Sequence, residues 1–224
     1  MKADEVVKKL KKLENNSNKT GMARYGINTE NAFGISIYVL RPMAKEIGKD
    51  HKLALQLWKT KIHEVMILAA FIDEPEKVTE KQMESWVRDF NSWDVVDLTC
   101  SDLFDKTPFA WKKAVEWSAR KEEFVKRAGF TLMAALAVHD KKAPDREFMK
   151  LFPIIKREST DERNFVRKAV NWALRNIGKR NKNLNKEAIK LAKEIQKIDD
   201  KTARWIASDA LRELIGEKVQ KRLK

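Results

Sequence analysis

Three features of the 224-residue sequence predict an all-α fold. Only seven Gly and five Pro interrupt it, while Ala, Leu, Lys and Glu are abundant, a composition that favours long helices with short connections and offers little to hairpins. Apolar residues recur at three- and four-residue spacing along much of the chain. A short motif, an apolar residue before a basic one with a second apolar residue eight positions on, returns at intervals of about 40 residues. One large domain over residues 1–224 is expected, with an N-terminal helix and loop in 1–20 and repeats over roughly 35–224.

The elements follow in order. Val6, Val7, Leu10 and Leu13 stand at helical spacing in residues 1–14, and the polar "NNSNKTG" after them reads as a loop. The segment "GMARYGINTENAFGISIYVLRPMAKEIG" holds four of the seven glycines and reads as a turn-rich approach to a helix near Tyr38–Ile47. Pro42 is expected in its first turn, since proline lacks the N–H that an interior helix position needs. "DHKLALQLWKT" is a short helix and "KIHEVMILAAFID" a nearly all-apolar one. After a Pro-containing loop, "TEKQMESWVRDF" carries Met83, Trp86, Val87 and Phe90 on one stripe, and Thr79 with Gln82 forms a capping-box signature.

"NSWDVVDLTCSDLF" starts a further helix, with Asn91 and Ser92 suited to its N-cap and Asp94 to its first turn. Asp97 lies too deep in that helix to cap it. At about 100° per residue it falls only about 40° from Trp93, on the rim of an apolar arc of Val96, Cys100, Leu103 and Phe104. A carboxylate in that place either caps a neighbour or takes part in chemistry.

The recurring motif appears in "FVKRAGFTLMAAL" from Phe124, "FVRKAVNWALRNI" from Phe165 and "TARWIASDALREL" from Thr202. Val125, Val166 and Ala203 each precede a basic residue, and Met133, Leu174 and Leu211 follow eight positions later. Going backward, "IHEVMILAAF" and "WDVVDLTCSDLF" continue the rhythm in steps of about 31 residues. Paired helices at such a period predict a HEAT-like helical-repeat solenoid, an α–α superhelix whose inner helices line a concave surface.

The formal net charge is +14, from 47 Lys and Arg against 33 Asp and Glu. Such a surplus points to an anionic polymer or an anionic membrane surface as partner; the plainer reading is a well-solvated surface. No leader-like apolar run opens the chain, and nowhere do about 18 uncharged apolar residues follow one another, so a soluble, cytoplasmic protein with no membrane partner is expected. The single cysteine excludes an internal disulfide and a Cys-based zinc cage, and Cys100 reads as an inert core thiol.

In a solenoid the inner helices carry Trp93 and Asp97, then Lys126 and Arg127, then Arg167, Lys168 and Trp172, then Arg204 and Trp205. Nine basic residues and one acidic residue, Glu187, fall between Arg163 and Lys190. A basic groove holding aromatic rings suits a phosphate backbone, although Trp172 and Trp205 read equally well as core. Other chemistries lack their residues. His63-Glu64 has no second His where Ile67 stands, so the zinc-protease motif is absent. His51 and His139 have no partners at metal spacing and read as surface or loop histidines. Gly21, Gly26 and Gly34 are not in a strand-to-helix phosphate loop, and no nucleophilic triad is visible.

The elements "GMARYGI", "FGISIYVLRPMAKEIG", "LWKTKIHEVMILAAFIDEP", "SWDVVDLTCSDLF", "FVKRAGFTLMA" and "FVRKAVNWALRN" resemble the DNA alkylation repair family of AlkD-like DNA glycosylases, from about residue 20 to the carboxyl end. The resemblance implies removal of N3- or N7-alkylated purines from duplex DNA without metal or cofactor. It places the catalytic aspartate on Asp97, the neighbouring aromatic on Trp93, the cleft arginine on Arg127 with Lys126 beside it as the alternative, and the second aromatic on Trp172. Tyr38 stands where the family leads one to expect proline. No pocket builder is evident, and the family suggests capture of the lesion through the backbone.

On that reading Arg127 contacts the phosphate beside the lesion, and Arg167, Lys168, Arg175, Lys179 and Arg180, with Arg204, hold flanking phosphates. Two alternatives stand beside it: a DNA-binding member that excises nothing, and a protein-interaction scaffold. A monomer is expected, because embracing duplex DNA requires a free concave face.

Overall fold

The computed structural model describes residues 2–223. Among them the regular structure is entirely helical, fifteen α-helices and three single 3-10 turns, gathered into a unit that ends at Phe109 and a second that begins at Ala110. No helix of the described residues is long and apolar enough to cross a membrane.

The first unit contains α1 (Ala3–Lys11), α2 (Asn16–Arg24), α3 (Ile37–Ile47), α4 (His51–Trp58), α5 (His63–Ile72), α6 (Glu80–Val87) and α7 (Trp93–Asp102). Helix α5 packs against α3, α4 and α7. It is apolar all round because it is buried all round, from His63 to Ala70 and again at Ile72. The predicted stripe of α6 is buried, and Trp86 stacks on Trp58 of α4 with ring centroids 3.8 Å apart and planes 4° from parallel. Cys100 is fully buried.

Two expectations need correction. "NNSNKTG" is the start of α2 rather than a loop: the Asn15 side chain accepts from the Asn18 N–H at its N-terminus, and Asn18 Nδ2 donates to Gly34 O across 2.9 Å. Tertiary bonding thus overrides weak helix propensity. Pro42 lies in the interior of α3 rather than its first turn. The carbonyl it deprives of a partner is that of Tyr38, and both residues are exposed, so water can satisfy it.

The second unit contains α8 (Ala110–Ser118), α9 (Glu123–His139), α10 (Asp145–Met149), α11 (Phe152–Arg157), α12 (Asn164–Gly178), α13 (Lys182–Gln196), α14 (Lys201–Leu214) and α15 (Glu217–Arg222). Helix α9 packs against α8 and α12, and α14 against α12 and α13. A Cβ on Gly129 would lie 2.4 Å from the Ser118 nitrogen, so α8 and α9 touch backbone to backbone there.

The repeat interval read from the sequence is visible as lateral bonding. The Phe124 and Phe165 rings, aligned in the repeats, stack with centroids 5.6 Å apart. Asn176 Nδ2 donates to Ala134 O, 42 residues back, and Asn171 Nδ2 to Asp209 Oδ2, 38 residues ahead. In the first unit the interval is shorter: Trp58 Nε1 donates to Asp89 Oδ2 and His63 pairs with Asp94, each across 31 residues.

Candidate functional site

Trp93 and Asp97 stand one turn apart on α7 and line the same cavity of about 590 Å³. Its other walls come from α2, from the segment Gly34–Ser36, and from the N-terminal halves of α3 and α5. Trp93 Nε1 donates to Tyr25 O across 3.1 Å, which fixes the indole against the turn that ends α2. Tyr25 itself is 76% exposed beside the cavity. The pocket builder not evident in the sequence is therefore the turn-rich segment folded over α5 and α7.

Glu64 holds that segment in place. Its carboxylate is fully buried and accepts the backbone N–H groups of Phe33, Gly34 and Ile35 at 2.7, 2.6 and 3.1 Å. Gly34 is needed there: its φ is +75°, and a Cβ would come within 2.2 Å of Asn15 O. Sequence reasoning passed over Glu64 when the zinc motif failed. The available signal was a carboxylate inside an otherwise apolar helix, which must find donors.

His63, adjacent on α5, also lines the cavity. Its Nε2 lies 2.9 Å from Asp94 Oδ2, while Asp94 Oδ1 accepts from Ser92 Oγ at 2.6 Å and from the Val95 N–H at 3.0 Å. Burial pushes the His63 imidazole down, but hydrogen bonding and charge from Asp94, with the charge of Glu64, outweigh it and leave the imidazole above its ordinary range. Burial likewise pushes Asp94 up, and its bonds to His63, Ser92 and the Val95 N–H hold it below the usual carboxylate range. His51, read as a surface or loop histidine, is instead 2.6 Å from Asp73 Oδ1, a buried carboxylate that also accepts from Gln82 Nε2.

In the second unit the sequence-predicted cations have varied surroundings. Arg127 is only 6% exposed and its Nη1 donates to Phe165 O across 2.6 Å. Lys126 pairs with Glu158 and with Asp161. Burial pushes Asp161 up, but Arg163 and Lys126 hold it below the ordinary range. Arg175 and Lys179 both bond Glu213, at 2.6 and 2.8 Å. Arg180 donates to the carbonyls of Ala137, Asp140 and Ala143 and lies over the Phe148 ring. Arg204 pairs with Asp199, and Arg167 lies over the Trp205 ring, 5.2 Å from its centroid. Lys168 is exposed and makes no ion pair among the described residues. Trp172 is half-buried and Trp205 is 39% exposed, so neither is a sealed core residue.

Asp97 thus places a carboxylate one helical turn from an indole, in a cavity whose walls are mostly apolar, an arrangement that suits a cationic centre. An uncharacterized protein of Listeria innocua is 24% identical over 169 residues, covering 74% of this chain and 73% of that protein. A solved structure, described as a new family of proteins related to the HEAT-like repeat DNA glycosylases with affinity for branched DNA structures, matches with a TM-score of 0.79 at 20% identity over 96% of both chains. That likeness shows the fold, an all-α HEAT-like repeat architecture. The model of the family described as DNA alkylation repair enzyme matches residues 6–214, nearly the whole chain. This chain belongs to the DNA alkylation repair enzyme family.

Proposed function

We propose that the protein is a monofunctional DNA glycosylase, hydrolysing the N-glycosidic bond of N3- or N7-alkylated purines in double-stranded DNA. The observation that carries this reading is the placement of Asp97 and Trp93 on one cavity, with the indole fixed by Tyr25 O. An alkylated purine is already cationic, so it leaves as a neutral base without an acid to protonate it. The sugar left behind has oxocarbenium character. Ionised Asp97 stabilises that charge and orients the attacking water, and the Trp93 face favours the same positive charge.

In the second unit the reading assigns Arg127 to a phosphate and Trp172 to a deoxyribose face. Arg167, Lys168, Arg175, Lys179, Arg180, Arg204 and Lys126 are assigned to the backbone, giving affinity without sequence information. Lys168 is the cation best placed for this, being exposed and without an ion-pair partner among the described residues.

The deciding experiment is release of free base from purine-methylated duplex DNA, wild type beside Asp97→Asn. Loss of release in the variant with DNA binding retained supports the assignment. A second reading, DNA binding without excision, is favoured by the solved relative described as having affinity for branched DNA structures. It predicts binding by both proteins and release by neither.

A further inference from the structure

The first unit contains a second cavity, of about 400 Å³, lined by four cations and one carboxylate: Arg41, Lys45, Lys49 and Lys106 with Asp102. It belongs to the other end of the same three helices. The Asp97 cavity is lined by Ile37 and Leu40 of α3, His63 and Ile67 of α5 and residues between Trp93 and Leu98 of α7, whereas the second cavity takes Arg41 from the middle of α3, Lys45 from its last turn, Phe71 from near the end of α5 and Asp102 from the end of α7.

Its floor is rigid. The Arg41 guanidinium lies over the Phe71 ring, 4.5 Å from the centroid, and pairs in fork fashion with both Asp102 oxygens at 3.0 Å. Lys49 Nζ donates to the carbonyls of Phe71 and Asp73, and Lys106 Nζ to that of Asp102. Lys45 makes no ion pair among the described residues.

Neutralising helix ends does not account for this much charge. Each helix C-terminus carries about half a negative charge, so three of them offset about one and a half positive charges. The lining side chains supply a surplus of three, four cations against Asp102, with Asp73 and Glu76 acting on Lys49 from outside the lining. Burial first, and then the nearby Lys106, hold the Lys49 ammonium below its ordinary range against the opposing charges of Asp73, Glu76 and Asp102.

We infer that the Arg41–Lys45–Lys49–Lys106 cavity is a phosphate site that holds a DNA backbone phosphodiester, as an anchor independent of any lesion and separate from the Asp97 cavity. A phosphodiester is a singly charged anion with oxygen acceptors, and Lys45 together with the remaining N–H groups of Arg41, Lys49 and Lys106 supplies the donors. The inference rests on the chain acting on DNA, but not on excision.

The test is binding of an unmodified duplex oligonucleotide across a salt series by wild type, Lys45→Ala and Lys45→Ala/Lys106→Ala, with thermal melts confirming the fold. The slope of log K against log salt should become shallower by about one for each lost contact, with about tenfold weaker binding at low salt for the double variant. An unchanged salt slope in folded variants overturns the inference. So does an unchanged duplex affinity with lost calorimetric binding of inorganic phosphate, which would make the cavity a site for a free phosphate. If no protein releases base yet the slope falls with Lys45, the anchor stands and the glycosylase reading alone fails.

Discussion

His63 Nε2 lies 2.9 Å from Asp94 Oδ2 across the N-terminal ends of the neighbouring helices α5 and α7. This pair sets the position of α7 beside the cavity that Trp93 and Asp97 line, and its two ends titrate in opposite senses. The raised imidazole contributes stability that is complete below about pH 6.5 and is lost as pH climbs through its higher folded value. The lowered Asp94 carboxyl contributes stability above about pH 4 that is lost as pH falls through its folded value. The melting-temperature gap between wild type and His63→Gln should therefore be widest between about pH 4 and about pH 6.5 and shrink toward higher pH. A gap independent of pH in thermal melts would refute this.

Asp97→Asn preserves shape and removes charge. Base release under single-turnover conditions should fall about 100-fold, about 3 kcal/mol of transition-state stabilisation, with duplex affinity held. Full activity in the variant would return Asp97 to a structural role.

Glu64→Gln replaces a carboxylate that accepts three backbone N–H groups with an amide that has only one acceptor oxygen. The loss should be about 2 kcal/mol in denaturant melts, and proteolysis should find the Phe33–Ile35 segment first. Wild-type stability would mean that the segment holds without the charge.

Gly129→Ala drives a methyl into the Ser118 backbone, where no flexible side chain can yield. A destabilisation of about 2 kcal/mol is expected from forced separation of α8 and α9. A variant as stable as wild type would show that the crossing relaxes freely.

Lys168→Ala and Arg180→Ala should differ in what they cost the fold. The first removes an exposed cation and should flatten the salt dependence of DNA binding by about one unit with little change in melting. The second should flatten the salt dependence similarly and also strands three carbonyls that now accept from one guanidinium, at a cost of about 2 kcal/mol of stability. Equal effects of the two on both readouts would contradict the assignment.

Helical periodicity made the all-α class, the apolar α5 and the stripe of α6 legible, because burying a face imposes its period on the chain. The repeat interval was legible too: aligning Phe124 with Phe165 brought together residues whose rings stack. Trp93 and Asp97 stood out because a carboxylate one turn from an indole on an apolar rim conflicts with simple core packing.

The sequence by itself determined the helical class, the amphipathic and apolar helices from α4 to α7, the repeat and the odd carboxylate, since these rest on spacing within one segment. It did not determine α2, whose polar start reads as a loop. Only the tertiary structure decided that Glu64 gathers the Gly34 turn into a cavity wall, that His63 reaches Asp94, and that Arg180 is bound to carbonyls about forty residues back in the chain. Those roles depend on hydrogen-bond partners 30 or more residues distant, and a buried polar group records in sequence only that it needs a partner, never which one.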